Sequence, residues 1–261
     1  MRVLFLGNNR VGLQVARYLR EQKETVVGAV LHPATRRKHG DEILGALDLH
    51  PGQIFDGSRL DDPEVVRAIA ALEPGIGVSA FFGYILRPAM IGLFPEGCIN
   101  LHPAYLPFNR GANPDVWSIV DGTPAGATLH YVDEGIDTGD IISQLQVVID
   151  PADTSGSLYE KLEQACMQVF TRAWPMIREG TSPRVVQGES GSFHRTDDVK
   201  QIDEIRLDDE YRARELINVL RARTFPPHRG AYFKIGDRKV YLRLQLIDED
   251  GIARESEERL S

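Results

Sequence analysis

The centre of this chain reads Cys98-Ile-Asn-Leu-His-Pro-Ala-Tyr-Leu-Pro-Phe-Asn-Arg-Gly-Ala-Asn-Pro-Asp-Val-Trp117. It begins with the pattern of a short apolar strand, is broken by two prolines, and passes through a polar loop into a helix predicted from Asp115. Asn100 and His102 stand two residues apart, and residues at that spacing project from the same face of a strand. An amide and an imidazole therefore point the same way at the carboxyl end of a strand, where open α/β sheets bind their ligands.

On both sides of this stretch, apolar runs alternate with amphipathic segments. Residues 2–7 and 25–31 are continuously apolar and flank a helix predicted over 11–22, which is typical of buried parallel strands joined by a crossover. The strand predicted at 127–132 alternates in polarity, which indicates that one of its faces is exposed. Further strands are predicted at 75–81 and 141–149, and further helices at 42–47, from 61, at 87–94 and at 154–178. We therefore predict an α/β fold, a Rossmann-like, mostly parallel sheet with helices on both faces.

The long helix at 154–178 carries an apolar stripe that we assign to the core. Its members are Leu158, Leu162, Ala165, Val169 and Ala173. The composition changes after it, where 187–192 is a polar linker. A capped helix is then predicted over 207–223, and a β-hairpin over 231–244 turns at Gly236-Asp237. We therefore predict a catalytic domain over 1–186 and a small α+β subdomain over 187–261, with the last ten charged residues frayed.

The composition disfavours two classes of partner. The chain has 261 residues, of which 42% are hydrophobic and 26% charged, and its net charge is −8. Charge-driven binding of nucleic acid needs many Lys and Arg to neutralise phosphates, so no nucleic-acid partner is expected. No apolar run approaches the ~20 residues of a membrane span, so no membrane partner is expected either.

The two cysteines, Cys98 and Cys166, fall in apolar strand and helix patterns. We assign both to the core of a protein in a reducing compartment. No Cys and His spacing indicates a metal site. Because the N-terminus enters a strand directly, without the apolar segment of a leader peptide, a cytoplasmic location is expected.

The first turn reads Gly7-Asn-Asn-Arg-Val-Gly12. It is neither a dinucleotide fingerprint, because Asn9 stands where a second glycine would allow close approach of a pyrophosphate, nor a phosphate-binding loop, because no Gly-Lys-Ser/Thr follows. We interpret the turn as a helix N-terminus. There Asn9 either donates to a substrate phosphate or serves the turn alone.

The loop Asp133-Glu-Gly-Ile-Asp-Thr-Gly-Asp140 leaves a neighbouring predicted strand and offers four acidic residues. A single histidine is more often structural than catalytic, but a converging amide, imidazole and carboxylate suit acyl transfer. The amide and a protonated imidazole can stabilise an oxyanion, and a carboxylate can orient the imidazole or help to remove a proton. No Ser or Cys stands in a nucleophile-elbow pattern, so direct attack by a substrate amine is favoured. The residues alone do not select among the four carboxylates.

Two motifs together resemble the 10-formyltetrahydrofolate-dependent formyltransferase family. The first is Asn100-Leu-His-Pro-Ala-Tyr-Leu-Pro107 followed by Arg110-Gly111, and the second is Leu129-His-Tyr-Val-Asp-Glu-Gly-Ile-Asp-Thr-Gly-Asp140. The similarity runs from the N-terminus to near residue 180. Chance agreement in both motifs, in this order and at this spacing, is a poor explanation.

The resemblance implies that Asn100, His102 and Asp137 are catalytic and that N10-formyltetrahydrofolate is the co-substrate, with no metal. Ala104 and Tyr105 replace a Ser and a Leu of the family's motif, which alters the local substrate wall and leaves the three catalytic positions intact. The residues implied to hold the pterin are the strand-end group Tyr84, Ile85 and Leu86 and the loop group Glu134, Gly135 and Ile136.

Within the family, the segments 108–118 and 220–233 are similar to the nucleotide-sugar N-formyltransferases. Members of this group formylate the 3- or 4-amine of a dTDP- or GDP-linked dideoxy amino sugar used in bacterial surface polysaccharides such as O-antigen. The resemblance therefore implies a nucleotide-linked amino sugar as the substrate and a homodimer as the assembly.

The resemblance also implies a set of residues that bind the sugar nucleotide. Trp117 has an alternative role as a core anchor, and Arg223 as the partner of an acid such as Glu215. Arginine suits phosphate binding because its planar guanidinium donates in pairs. The implied residues are Asn109 and Trp117 toward the hexose, and Arg110 and Arg223 toward the phosphates. Asn9 of the first turn joins the predicted substrate-binding residues on its own argument, as the phosphate donor or turn residue described above.

Four alternatives stand beside this interpretation. A methionyl-tRNA formyltransferase would want a larger C-terminal domain and a basic face for RNA. A glycinamide ribonucleotide formyltransferase would end near the first domain, and a formyltetrahydrofolate hydrolase would use the same three residues with water as the acceptor. A non-catalytic nucleotide-binding module would have no need of the Asn, His and Asp set.

Overall fold

The structure, a computed structural model, describes residues 1–249. Its strands are β1 (Arg2–Gly7), β2 (Thr25–Leu31), β3 (Ile54–Asp56), β4 (Ile76–Ala80), β5 (Cys98–His102), β6 (Arg110–Gly111), β7 (Ala125–Tyr131), β8 (Ile141–Val147), β9 (Phe193–His194), β10 (Tyr232–Ile235) and β11 (Arg238–Tyr241). Its α-helices are α1 (Asn9–Glu21), α2 (Gly40–Leu47), α3 (Pro63–Ala70), α4 (Pro88–Ile91), α5 (Pro114–Val120), α6 (Ser155–Arg178) and α7 (Ala213–Ala222).

The main sheet has seven strands in the order β3-β2-β1-β4-β5-β7-β8. The first five pair in parallel, whereas β7 runs antiparallel to β5 and to β8. The carboxyl ends of β1, β4 and β5 therefore meet at one edge, the place where such sheets bind ligands. The prediction of a Rossmann-like, mostly parallel sheet is confirmed.

The sheet is buried on both faces, which explains the continuous apolar runs in its strands. Alternate residues of β1 serve opposite faces: Val3 and Phe5 join a core cluster with α1, α2 and α6, whereas Leu4 and Leu6 join a second cluster with α3 and α4. Full burial of one such side chain stabilises the fold by about 1.5–3 kcal/mol. The five residues of the stripe predicted for α6 are all buried.

The predicted exposure of one face of β7 is wrong, because all seven residues of this strand are buried. β7 lies between β5 and β8. Ala127 and Leu129 belong to the core cluster that includes α6. Thr128 and His130 alternate with them and are buried as polar groups. The alternation in the sequence therefore separates the core from a polar interior site, not from solvent.

The helix predicted over 207–223 is six residues too long at its start, because α7 begins at Ala213. The acidic residues before it form a turn instead, in which the Asp209 N–H donates to the Arg206 carbonyl oxygen. The Arg206 N–H in turn donates to the Tyr211 hydroxyl at 3.0 Å.

The hairpin is present as the antiparallel pair β10 and β11, with Gly236 at a positive φ of 56° in its turn. Glycine adopts such a φ without steric cost. The frayed end predicted for the last ten residues lies outside the described residues.

Candidate active site

Asn100 lies on β5, where two neighbouring elements hold its amide group. The Ser79 hydroxyl on β4 donates to Asn100 Oδ1 at 2.8 Å. Asn100 Nδ2 faces His130 Nε2 at 3.2 Å and Asp137 Oδ1 at 3.3 Å. The amide is therefore oriented, because its oxygen is occupied by a hydroxyl donor and its nitrogen faces the acidic loop after β7.

Asp137 is brought back over β5 by the loop between β7 and β8. Its φ is 54°, in the left-handed region that Asp tolerates better than most residues. Its Oδ2 accepts a hydrogen bond from the Gly111 N–H at 2.9 Å and lies 3.7 Å from His102 Nδ1. The structure thus distinguishes Asp137 from the other carboxylates of its loop, which the residues alone did not.

The electrostatics of the site favour an ionised Asp137. Burial raises the pKa of this carboxyl, but the charge of the His102 ring, the His130 ring and the Gly111 N–H outweigh burial and hold the pKa well below its ordinary value. Asp137 is therefore a carboxylate throughout the neutral range, able to accept protons and hydrogen bonds.

His102 is buried, and both of its ring nitrogens face oxygen atoms. Its Nε2 lies 3.1 Å from the Asn109 carbonyl oxygen, which can only accept, so Nε2 carries a hydrogen. Its Nδ1 is directed at the Asp137 carboxylate. The ring is thereby fixed in orientation between the loop that follows β5 and the acidic loop.

His130 joins this group, although no role was predicted for it. Its Nδ1 lies 2.8 Å from the Tyr131 carbonyl oxygen, which can only accept, so Nδ1 carries a hydrogen. Its Nε2 lies 3.2 Å from Asn100 Nδ2 and 3.5 Å from Asp137 Oδ1. The signal was present in the sequence as the polar positions of β7, since Thr128 and His130 alternate with apolar residues. No role was predicted for His130 because this face of β7 was wrongly predicted to be exposed to solvent.

A cavity of about 420 Å³ opens beside these residues. Asn100, His130 and Asp137 line it, whereas His102 lies behind them. Five of the six residues implied to hold a pterin line it as well, and Glu134 does not. These five are Tyr84, Ile85, Leu86, Gly135 and Ile136.

Part of the cavity wall comes from residues that the sequence did not indicate. Ser79 and Phe82 contribute from β4 and the loop after it. Residues 193–196 contribute from beyond the predicted linker, and β9 pairs in parallel with β6 to hold them there. The lining of the cavity therefore includes the chain past residue 186, where the catalytic domain was predicted to end.

No group of three His, Cys, Asp or Glu side chains within residues 1–249 is placed to hold a metal ion. Within the same residues, no helix is long and apolar enough to cross a membrane.

Residues 1–174 match the formyl transferase family, which is two thirds of the chain. The chain belongs to this family. Residues 198–248 match a second family, the N-formyltransferase dimerization C-terminal domain. The predicted resemblance to formyltransferases is therefore confirmed, and the Asn, His and Asp group lies in the family domain.

Relatives of this formyl transferase family member include methionyl-tRNA formyltransferases and sugar formyltransferases. Methionyl-tRNA formyltransferase from Geotalea daltonii is 31% identical over 196 residues, which are 73% of this chain and 63% of that relative's length. A sugar N-formyltransferase from Shewanella sp. FDAARGOS_354 has 27% identity and a TM-score of 0.80, over 95% of this chain and 99% of that one. The formyltransferase PseJ from Anoxybacillus kamchatkensis, in complex with UDP-4,6-dideoxy-4-formamido-L-AltNAc and tetrahydrofolate, has 29% identity and a TM-score of 0.57, over 77% and 89% of the two chains.

Two residues implied to bind a sugar make contacts inside the protein. The Asn109 side chain is fully buried, donates to Ser118 and Thr123 at 2.9 Å each, and accepts from Ser192 at 3.1 Å. Trp117 is buried and stacks on His194 with ring centroids 4.1 Å apart. Neither lines the cavity, and their roles toward substrate stay predictions.

The two implied phosphate ligands also have partners within the chain. Arg110 donates to Gln187 Oε1 from Nε at 3.1 Å and from Nη2 at 2.8 Å. Arg223 donates to Asp203 Oδ1 at 2.6 Å, so the acid it pairs with is Asp203 and not Glu215. Their phosphate roles likewise stay predictions.

Asn9 sits beside a buried polar group at the carboxyl end of β1. Its Nδ2 donates to the Tyr159 hydroxyl at 3.1 Å. Burial, together with the charges of Glu163 and Asp115, raises the pKa of that hydroxyl. Burial also raises the pKa of the Asp115 carboxyl to about 6, against the lowering effect of Arg223 and the N-terminal amides of α5. This family member therefore keeps the Asp115 carboxyl, which acts on the Tyr159 hydroxyl, in an environment that disfavours its charge.

Asp115→Asn is expected to stabilise the fold by about 3 kcal/mol or less near pH 7. The pKa of this acid is raised on folding from 3.8 to about 6. The free energy of unfolding of the wild type, as far as it depends on the Asp115 carboxyl, is therefore highest below pH 4, where this group is protonated in both states. It falls as the pH rises from 4 to 6. Urea denaturation at several pH values should show the gain of the variant growing between pH 4 and 6. The exposed Asp208→Asn is the control, and parallel pH profiles for Asp115→Asn and the wild type would contradict the expectation.

Proposed function

We propose that this protein transfers a formyl group from N10-formyltetrahydrofolate to the amine of a nucleotide-linked dideoxy amino sugar, forming the N-formyl sugar. The observation that carries the proposal is the meeting of Asn100, His102 and Asp137 beside a cavity of about 420 Å³, which Asn100 and Asp137 line. That size lies within the range of pockets that hold small organic ligands.

The walls of the cavity suit the flat, aromatic part of a folate. Phe82, Tyr84 and Leu86 form an apolar side. Ile85 and Ile136 border the same cavity and are 58% and 39% exposed. Exposed apolar side chains beside a cavity favour a ligand that covers them. PseJ, by its description, contains tetrahydrofolate and a formylated sugar nucleotide, which supports the same pairing of substrates for this chain.

N10-formyltetrahydrofolate supplies the formyl carbon, where the acceptor amine forms the new C–N bond as the bond to N10 breaks and tetrahydrofolate leaves. Asn100 would donate an N–H to the formyl oxygen as negative charge develops there. Both contacts of Asn100 Nδ2, to His130 at 3.2 Å and to Asp137 at 3.3 Å, are long hydrogen bonds that the formyl oxygen would replace. Ser79 holds the amide in place from the other side.

Asp137 and His102 would manage the proton that the amine must lose. Asp137 is ionised, lines the cavity and can accept that proton directly. His102, fixed by the Asn109 carbonyl, would orient the Asp137 carboxylate from behind the cavity, and Asp137 would pass the proton on to the leaving nitrogen, so that protons balance. The direct roles of all three residues are proposals, as are those of the residues implied to bind cofactor and sugar.

A methionyl-tRNA substrate is the second candidate, because curated relatives such as the Geotalea protein carry that activity in their name. Two observations favour the sugar. The Shewanella sugar N-formyltransferase aligns over 95% of this chain and 99% of its own. The net charge of −8 is unsuited to an RNA partner.

A panel assay tests the proposed function. The protein is incubated with N10-formyltetrahydrofolate and with dTDP-, GDP- and UDP-linked 3- and 4-amino dideoxy sugars or methionyl-tRNA, and tetrahydrofolate release and product mass are followed. We expect one sugar to gain a single formyl group. Formylation of the tRNA alone would overturn the sugar proposal, and folate turnover with no acceptor modified would indicate a hydrolase.

We also propose a homodimer built through the C-terminal subdomain. Residues 198–248 match a dimerization domain, and Ile217, Ile235 and Tyr241 are exposed on it. Sedimentation equilibrium measures the mass directly. A cytoplasmic location and a place in the synthesis of bacterial surface polysaccharide stay predictions.

A further inference from the structure

Residues 187–196, here called the strap, lie between the two family domains, which end at 174 and begin at 198. The strap folds back over the carboxyl edge of the main sheet. Its strand β9 pairs with β6, and the Arg110 and Ala112 N–H groups donate to the Ser192 and His194 carbonyls at 3.0 and 2.9 Å. Its last residues line the cavity. The strap is therefore built into the candidate active site rather than serving only as a linker.

The first residue of the strap, Gln187, joins the two loops that carry the site. Its Nε2 donates to the Asp137 carbonyl oxygen at 2.8 Å and to the Gly139 carbonyl oxygen at 2.7 Å. Its Oε1 accepts two hydrogen bonds from the Arg110 guanidinium. An amide has two N–H donors and two acceptor positions on its oxygen, and here all four are used. Glutamine is the one long side chain with this set of donors and acceptors.

These contacts bear on the catalytic carboxylate from two directions. Asp137 has a left-handed backbone, at φ 54°, which persists only where the surroundings hold it. Gln187 holds its carbonyl oxygen. Gly111, which follows the Arg110 that Gln187 accepts from, donates its N–H to the Asp137 carboxylate at 2.9 Å. The hydrogen bond to the Asp137 carbonyl and the hydrogen bond to the Asp137 carboxylate are thereby linked to each other through Gln187 and Arg110.

We propose that Gln187 is a positioning residue. By hydrogen-bonding to both the Arg110 loop and the Asp137 loop, it holds the Asp137 carboxylate against Asn100 and His102. The proposal rests on the proposed function, because Asp137 is the proton acceptor in the formyl transfer proposed above. Gln187 does not line the cavity. A displacement of about 1 Å at a catalytic group can cost a hundredfold in rate, so the effect belongs in kcat rather than in folate binding.

Gln187→Met keeps the length of the side chain and removes its hydrogen bonds. In steady-state kinetics with the acceptor found in the panel assay, kcat should fall about 10–100-fold. The KM for N10-formyltetrahydrofolate should stay within about twofold, since the hydrogen bonds of the Gln187 side chain go to Arg110, Asp137 and Gly139 and to none of the residues implied to hold the pterin. Gln14→Met, on the exposed face of α1, is the matched control and should retain the wild-type kcat. An unchanged kcat, or a change confined to KM, would overturn the proposal.

Hydrogen exchange of the Gly111 amide gives a readout that needs no activity. Because this N–H is bonded to the Asp137 carboxylate, it should exchange about tenfold faster in Gln187→Met. Wild-type exchange rates would overturn the positioning role even if the panel assay had failed, so the two failures are distinguishable. If Gln187→Met does not fold, Gln187→Asn retains the amide on a shorter stem. That variant should lose kcat by several-fold, and a wild-type kcat would again contradict the proposal.

Discussion

Asn100→Ala is expected to lower kcat by about 10²–10³-fold, the usual cost of removing one oxyanion donor. The amide of Asn100 lines the cavity, and Ser79 and His130 orient it. Alanine leaves the formyl oxygen without this donor while the apolar walls of the cavity stay intact. Steady-state kinetics with the formylated acceptor measure the loss, and the KM for folate should change little.

A loss of fold has to be separated from this loss of chemistry. Asn100→Ala leaves the Ser79 hydroxyl without its acceptor, which costs about 1–3 kcal/mol of stability. Circular dichroism and the thermal midpoint should therefore show a folded, slightly less stable protein. Asn218→Ala on α7, away from the cavity, is the control. A folded Asn100→Ala variant with wild-type kcat would remove Asn100 from the mechanism.

The position of Asn100 could be predicted because strand periodicity is local. An apolar run that ends in Asn and His two residues apart places both groups on one face, whatever the rest of the chain does. The sheet follows from the same kind of local pattern, which is why β1, β2 and α6 lie within two residues of their predicted bounds.

The contacts that complete the site could not be predicted from local pattern. Ser79 and Asn100 are 21 residues apart, and Gln187 reaches Asp137 across 50. Such pairs meet only through the order of the strands in the sheet and the return of the strap over it. The selection of Asp137 among its neighbours likewise rests on a contact between distant residues, because the Gly111 N–H that meets the carboxylate lies on β6, which pairs with β9.

Burial was misjudged where polarity was equated with exposure. His130 and Thr128 on β7 are polar and buried, because the sheet continues to β8 and the polar groups satisfy one another. Thr128 donates to the Ala104 carbonyl oxygen at 2.6 Å, for example. The alternation of polar and apolar residues in β7, from which a solvent-exposed face was predicted, therefore indicated buried polar groups instead, and one of them, His130, lies in the candidate site.

Asp137→Asn is expected to lower kcat by about 10²–10⁴-fold, the range of effects for loss of a positioned general acid–base group. The neutral amide keeps the size of the side chain and can still accept from the Gly111 N–H. It loses the charge that faces His102 and His130 and cannot accept a proton from the amine. Kinetics at pH 7–8 measure the loss. Asp48→Asn is a matched control, because Asp48 is exposed and has the same left-handed backbone, at φ 53°.

The dependence of stability on pH in the acidic range should also distinguish Asp137→Asn from the wild type. The pKa of Asp137 is lowered on folding, so its contribution to stability is present above the ordinary carboxyl range and is lost as the pH falls toward the folded value. Asp137→Asn lacks this dependence. Urea denaturation should therefore show the difference between wild type and variant shrinking as the pH falls below 4. A difference that is constant with pH, or a kcat within tenfold of wild type, would mean that the carboxylate is neither ionised against His102 nor the proton acceptor, and the mechanism would have to pass through another group such as His130.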